Sequence, residues 1–205
     1  KGNMSRRLTD RRRSVCTVGQ IMFTHGIYSV PLRSVFSVKV GAVSGADDIF
    51  ANAELGNADF VCSKTAQTGE LRRMIFDAPL PYLEQFKERL LARRVTKFVE
   101  HNGWKWGRRH HASDAPRIYV NQKTRQPRPF FLDDCRNYDG SILALFPHRT
   151  DLDAGVLRQL TLQLNEVDWH ELGFVCDGRF LFAQRSLENA LLPEDFAAYE
   201  VEGLV

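Results

Sequence analysis

Two tryptophans and a cluster of cations stand together in Asn102-Gly103-Trp104-Lys105-Trp106-Gly107-Arg108-Arg109-His110-His111. Lys105, Arg108 and Arg109 offer charge to phosphates, Trp104 and Trp106 offer flat faces to bases or sugars, and the glycines beside them let the chain cradle a polyanion. The polar loop composition argues against burial of both rings; the competing reading makes one indole a core anchor and the arginines a solvated rim. The same chemistry recurs in Pro116-Arg117-Ile118-Tyr119-Val120-Asn121-Gln122-Lys123-Thr124-Arg125, where a strand opened by Arg117 runs into a turn presenting Lys123, Thr124 and Arg125. Arg128 follows between Pro127 and Pro129. Arginine grips phosphate or guanine with two donors at once, while lysine and threonine add single contacts.

Other constellations are poorer. Adjacent histidines rarely point at one ion, and no nearby cysteine or carboxylate pair completes a shell around His110-His111, so phosphate contact suits them better than metal. Asp133, Asp134 and Asp139 could serve a magnesium-dependent nuclease, but no Glu-x-Lys follows them on a strand, and capping or turn roles fit aspartates so placed. Cys16, Cys62, Cys135 and Cys176 form no CxxC pair and have no histidine at ligand spacing, which reads as small apolar side chains in a reducing compartment. The sequence contains no GxxxxGK[ST] loop, no GxSxG elbow and no HExxH, and Gly41 to Gly45 is too short for a dinucleotide fingerprint. No nucleophile, general base or metal ligand is assigned.

The elements that must position these residues belong to a chain of 205 residues, 43% hydrophobic and 26% charged, enough for one large domain with a real core. No apolar run is long enough to span a bilayer, so no membrane partner is expected. The opening Lys1-Gly2-Asn3-Met4 has no signal-peptide core, and the chain is expected to be a cytoplasmic piece of something longer. The net charge of +3 hides an uneven distribution. Lys1, Arg6, Arg7, Arg11, Arg12 and Arg13 crowd the start against Asp10, and the stretch from Lys97 to Arg128 holds eight bases against Glu100 and Asp114. The remainder is net acidic, which implies directed contact with a polyanion in place of general stickiness.

Residues 1–31 read as a basic linker segment, with a helix around Leu8 to Val18 and a strand at Gln20 to Phe23, and residues 32–205 as the folded domain. Alternation predicts a strand over Leu32 to Val40, then a glycine turn. Helices are expected over Pro79 to Val99, over Leu152 to Leu164 capped by Asp151 or Asp153, and over Ser186 to Leu192 stopped by Pro193. Strands are expected at Arg117 to Asn121, Ser141 to Phe146, Phe174 to Val175 and Phe180 to Phe182, the last two joined by a hairpin at Asp177-Gly178. Without βαβ regularity this is an α+β fold, a mixed short-stranded sheet with several packed helices.

Taken in order, these segments resemble a family. Val38-Lys39-Val40-Gly41-Ala42-Val43-Ser44-Gly45-Ala46-Asp47 is similar to the G-[IV]-x-[ST]-G strand and turn that opens the C-terminal target-recognition region of bacterial adenine-specific DNA methyltransferases, the restriction-modification type of TaqI-like architecture. Trp104-Lys105-Trp106-Gly107-Arg108, Pro116 to Val120, Lys123-Thr124-Arg125, Pro129-Phe130-Phe131 and Tyr138-Asp139-Gly140-Ser141 look like successive landmarks, and Phe182 to Asn189 looks like the closing helix. The resemblance spans roughly residues 32 to 196. It implies that an upstream catalytic methyltransferase domain, absent here, binds S-adenosylmethionine and methylates an extruded adenine. This chain, itself without cofactor or catalysis, would clasp double-stranded DNA, with Ser44, Trp104, Lys105, Trp106, Arg108, Arg109, Arg117, Lys123, Thr124, Arg125 and Arg128 as the implied contacts. A magnesium-dependent nuclease and a protein-interaction module are the competing expectations.

Overall fold

A computed structural model describes residues 15–18, 21–24 and 28–201. Its first half comprises β1 (Val15–Val18), β2 (Ile21–Thr24), β3 (Tyr28–Pro31), α1 (Leu32–Val35), β4 (Phe36–Val40), α2 (Asp47–Phe50), β5 (Ala58–Phe60), α3 (Thr65–Thr68), β6 (Arg72–Met74) and α4 (Lys87–Leu91). The second half comprises β7 (Ile118–Asn121), β8 (Lys123–Thr124), β9 (Phe130–Phe131), β10 (Ile142–Pro147), α5 (Ala154–Glu166), β11 (Val175–Cys176), β12 (Arg179–Leu181), α6 (Gln184–Glu188) and β13 (Leu191–Pro193). Short 3-10 segments lie at Pro81–Phe86, Glu100–Asn102 and Glu194–Tyr199.

The organising element is a four-stranded sheet in the order β4-β10-β7-β9, antiparallel at every pairing. Because successive side chains of a strand face opposite ways, β10 serves two cores. Leu143 and Leu145 join Val38, Ile118 and Val120 in a large core with Leu157, Leu160 and Leu164 of α5. Ile142, Ala144 and Phe146 join Tyr119, Tyr138 and Val61 on the opposite face. The leucine spacing gives α5 one apolar face, and Asp153 caps it by accepting a hydrogen bond from the Val156 amide at 2.8 Å.

β4 and β7 flank β10 and so run parallel to each other, which obliges residues 41–117 to cross the sheet on the Tyr119 face. This crossover carries its own core, centred on Phe50, Phe60, Met74, Ile75 and Trp106. The structure is α+β, as the pattern of elements implied. Among the described residues, named strands pair only antiparallel, and parallel pairing is confined to the bridges Ala42 to Asp139 and Val61 to Tyr138.

Several boundaries differ from the sequence expectation. β3 pairs with β13, and Tyr28 and Val30 are buried in the main core, so the folded body begins before residue 32. Val15–Val18 is a strand paired with Ile21–Thr24, not the end of a helix; the rest of that expected helix lies outside the described residues. Leu32–Val35 is a helical turn because Pro31 precedes it and the Leu32 amide bonds to the Ala190 carbonyl. The expected long helix is a 3-10 turn and α4, ending at Ala92. There the Arg93 side chain folds back onto the Leu90 carbonyl, and β-branched Val95, Thr96 and Val99 give the helix little reason to continue. The expected last helix splits into α6 and β13. The hairpin between β11 and β12 turns at Asp177 and Gly178, both with positive φ, as its Asp-Gly demanded.

Candidate nucleic-acid interface

Three segments meet where β4 and β7 end and β10 begins. The Gly41 amide bonds to the Ile142 carbonyl and the Ala42 amide to the Tyr138 carbonyl. A side chain at Gly41 would place its Cβ 1.9 Å from the Asp139 carbonyl oxygen, so this close approach admits glycine alone. On the other side, the Val43 amide bonds to the Arg108 carbonyl, and the Val43 carbonyl accepts from the Gly107 and Arg108 amides. Gln122, at the end of β7, donates its Nε2 to the Gly140 carbonyl at 2.7 Å. Lys123 therefore leaves the sheet beside the turn that packs against Val43, which pairs with Arg108.

The cations divide sharply in this frame. Arg108 and Lys105 are exposed, with Arg108 Nη2 only 3.4 Å from the Gly41 carbonyl and Lys105 Nζ 5.1 Å above the Trp104 ring. Arg109 is also exposed but turns to Asp77, 2.6 Å away. Asp77 sits in the left-handed region at φ 48 and also accepts the Trp106 amide, so one carboxylate fixes both neighbours. Lys123, Arg125 and Arg128 are exposed. Arg125 lines a cleft of about 470 Å³ with Trp169, His170 and Arg179.

Ser44, Trp106 and Arg117 were expected to touch a polyanion and instead face inward. Ser44 is fully buried; its hydroxyl donates to Asp47 and accepts the Ala46 amide, forming the turn into α2. Trp106 is 5% exposed, stacked on Phe60 at 4.9 Å with its Nε1 donating to the Ile75 carbonyl. Its bulk closes the crossover core, the role of anchor that the sequence left open. Arg117 is 3% exposed and donates to the carbonyls of Ser113, Ala115 and Arg136 over the Phe146 ring. Thr124 is nearly buried, its hydroxyl accepting the Gln126 amide. Trp104 is half-buried, bonded to the His101 carbonyl, and forms a wall of an apolar cleft of about 570 Å³.

His111 is exposed, whereas His110 is turned inward. His110 lies among Phe60, Phe76 and Tyr138, where burial, then the charges of Arg117 and His111, hold its pKa below the ordinary value. The aspartates behave as turn residues: Asp133 accepts the Cys135 amide, and Asp139 accepts both the amide and hydroxyl of Ser141.

Sequence reasoning missed two arginines. Arg93 is buried and donates to the carbonyls of Leu90, Ser44, Gly103 and Lys105, tying the Gly41–Ser44 loop to the tryptophan loop. Arg72 on β6 reaches both Asp47 and Asp139, each at 3.4 Å. Neither lies in a motif, and only their partners distinguish them from the other arginines of the chain.

No family model matches the sequence, and no curated protein is similar to it. Among solved structures, the fold is similar to part of the Type IIL restriction-modification enzyme MmeI, determined in complex with DNA, with a TM-score of 0.54 and 10% identity. The match covers 82% of this chain and 28% of that protein, so the chain spans well under a third of its length. Among the described residues no helix is long and apolar enough to cross a membrane. The likeness is one of fold, to one region of that protein.

Proposed function

We propose that this chain is the DNA target-recognition portion of an adenine-specific methyltransferase of the restriction-modification type, working in the bacterial cytoplasm. A separate catalytic domain would bind S-adenosylmethionine and hold the extruded adenine, because chemistry on a flipped base needs a deep pocket while sequence reading needs side chains in an intact groove. The observation that carries the reading is the grouping of exposed Arg108 and Lys123 around the Gly41–Ser44 loop and the Gly140 turn. Their setting is a fold similar to part of a DNA-bound restriction-modification enzyme. Lys105, Arg125 and Arg128 extend the phosphate-binding surface, Arg109 contributes from its pair with Asp77, and Trp104 shapes its edge.

Duplex affinity measured by fluorescence anisotropy across a salt series tests this. Each phosphate contact removed should lower the slope of log K against log salt by about 0.9. Arg108→Ala and Lys123→Ala should each flatten the slope, and their combination should flatten it by about twice as much. A wild-type chain that binds no duplex at low salt would overturn the reading and favour a protein-interaction role.

A further inference from the structure

Among the described residues, exposed guanidinium groups that meet a carboxylate meet a single one, as in Arg89 with Asp48 and Arg73 with Asp59. Arg72 differs. Its Nη1 lies 3.4 Å from both Asp47 Oδ2 and Asp139 Oδ2, and its side chain remains 30% exposed. Asp139 is the enclosed anchor, with 5% of its side chain exposed against 55% for Asp47. Asp139 is buried and held by Ser141, while Asp47 accepts the hydroxyl of buried Ser44. Among the described residues, Nε and Nη2 of Arg72 make no hydrogen bond.

That leaves the Nε–Nη2 edge as a pair of parallel donors without a partner among the described residues, on a guanidinium whose Nη1 is drawn to two carboxylates. Such a fork matches the O6 and N7 acceptors that guanine presents in the major groove. A phosphate contact needs no such fixing, since a flexible cation serves as well. A base contact benefits from it, because less side-chain freedom remains to be lost on binding. Position agrees with the chemistry: Asp139 stands in the same turn whose Gly140 carbonyl holds Gln122 next to Lys123, and Ala42 bridges to Asp139 one residue before Val43 pairs with Arg108.

We propose that Arg72, positioned by Asp47 and Asp139, reads a guanine in the recognised DNA sequence while Arg108 and Lys123 hold the flanking phosphates. This rests on the DNA-recognition reading above and adds to it a specificity-determining residue.

The test starts from the full chain and a pool of randomised duplexes, from which the preferred word is selected and compared with a scrambled duplex. One good bidentate contact accounts for roughly ten- to hundredfold of discrimination. Arg72→Lys keeps the charge but lacks the fork, and should lower the ratio of word to scrambled affinity by roughly that factor. Replacing the guanine by 7-deazaguanine removes N7; wild type should lose affinity while Arg72→Met, which has no donor, should be indifferent. Asp47→Asn keeps the fork but loosens it, and should give a smaller loss of selectivity. A wild-type chain that binds duplex and selects a word, with selectivity and 7-deazaguanine sensitivity unchanged in Arg72→Met, overturns the assignment of Arg72 alone. A lower salt slope with unchanged selectivity makes Arg72 a phosphate contact and likewise overturns it. Wild type that selects no word overturns this inference together with the reading beneath it. Thermal melts of each variant separate loss of recognition from loss of fold.

Discussion

Replacing Arg93 by methionine keeps the aliphatic stem and removes a guanidinium that four carbonyls share. Three of its bonds, to Leu90, Ser44 and Gly103, are buried, at 2.8, 2.6 and 2.5 Å. The cation also lies 3.8 Å above the Phe98 ring. Burial pushes its pKa down to about 10, a sign that the interior disfavours the charge and that its partners must offset this. A hydrogen bond to a charged group contributes about 1.5 to 3 kcal/mol net of desolvation. At the low end, three such bonds give about 4 to 5 kcal/mol. In a chain of this size each kcal/mol moves the melting temperature by about 2 to 4 °C, so Arg93→Met should lower it by about 10 to 20 °C. Arg93→Lys, which can reach fewer carbonyls, should fall between. Differential scanning calorimetry gives the result directly, and anisotropy should show duplex affinity falling with the loosened loops. A variant melting within about 3 °C of wild type would refute the view that this guanidinium ties the two loops together.

Gly41→Ala must displace backbone, since its Cβ would lie 1.9 Å from the Asp139 carbonyl oxygen; denaturant melts should show a loss of about 3 kcal/mol or outright failure to fold. His110 supplies a pH dependence of definite sign. Its folded-state pKa is depressed by burial, so its contribution is complete above about 6.5, where the unfolded chain is also neutral, and declines as pH falls from there towards the folded value. The slope should not exceed about 1.4 kcal/mol per pH unit, and His110→Phe, which suits the aromatic surroundings, should flatten it in melts between pH 7 and 5.

The elements most legible in the sequence were those whose physics is local. Asp177-Gly178 dictates its hairpin, the pair Asp151 and Asp153 a helix cap that Asp153 supplies, and the apolar run after Ser141 a strand, which the structure buries on both faces. What escaped was decided by partners far along the chain. The periodicity of Pro79 to Val99 suits a helix, yet Arg93 gains more from carbonyls at Ser44 and Gly103 than a continued helix would offer. Trp104 and Trp106 look alike in sequence, and only the aromatic wall of Phe60 and Phe76 takes one inside. Arg117 looks like Arg108, but it immediately precedes a central strand and its donors turn to neighbouring carbonyls. Arg72 had no local signal, because its distinction lies in two carboxylates on other segments.

The double-faced burial of β10 has a consequence for how variation in this protein is constrained. A strand with one wet side finds its alignment by hiding its oily residues, but β10 is oily on both sides, so a slip of one step would expose nothing and meet little hydrophobic resistance. Alignment must come from the ends: Pro147 at one and the Asp139–Ser141 turn, clamped to Gly41 and Gln122, at the other. That turn also holds Arg72 through Asp139, so a substitution at Asp139 would put strand alignment at risk, whereas one at Asp47 would leave the turn in place.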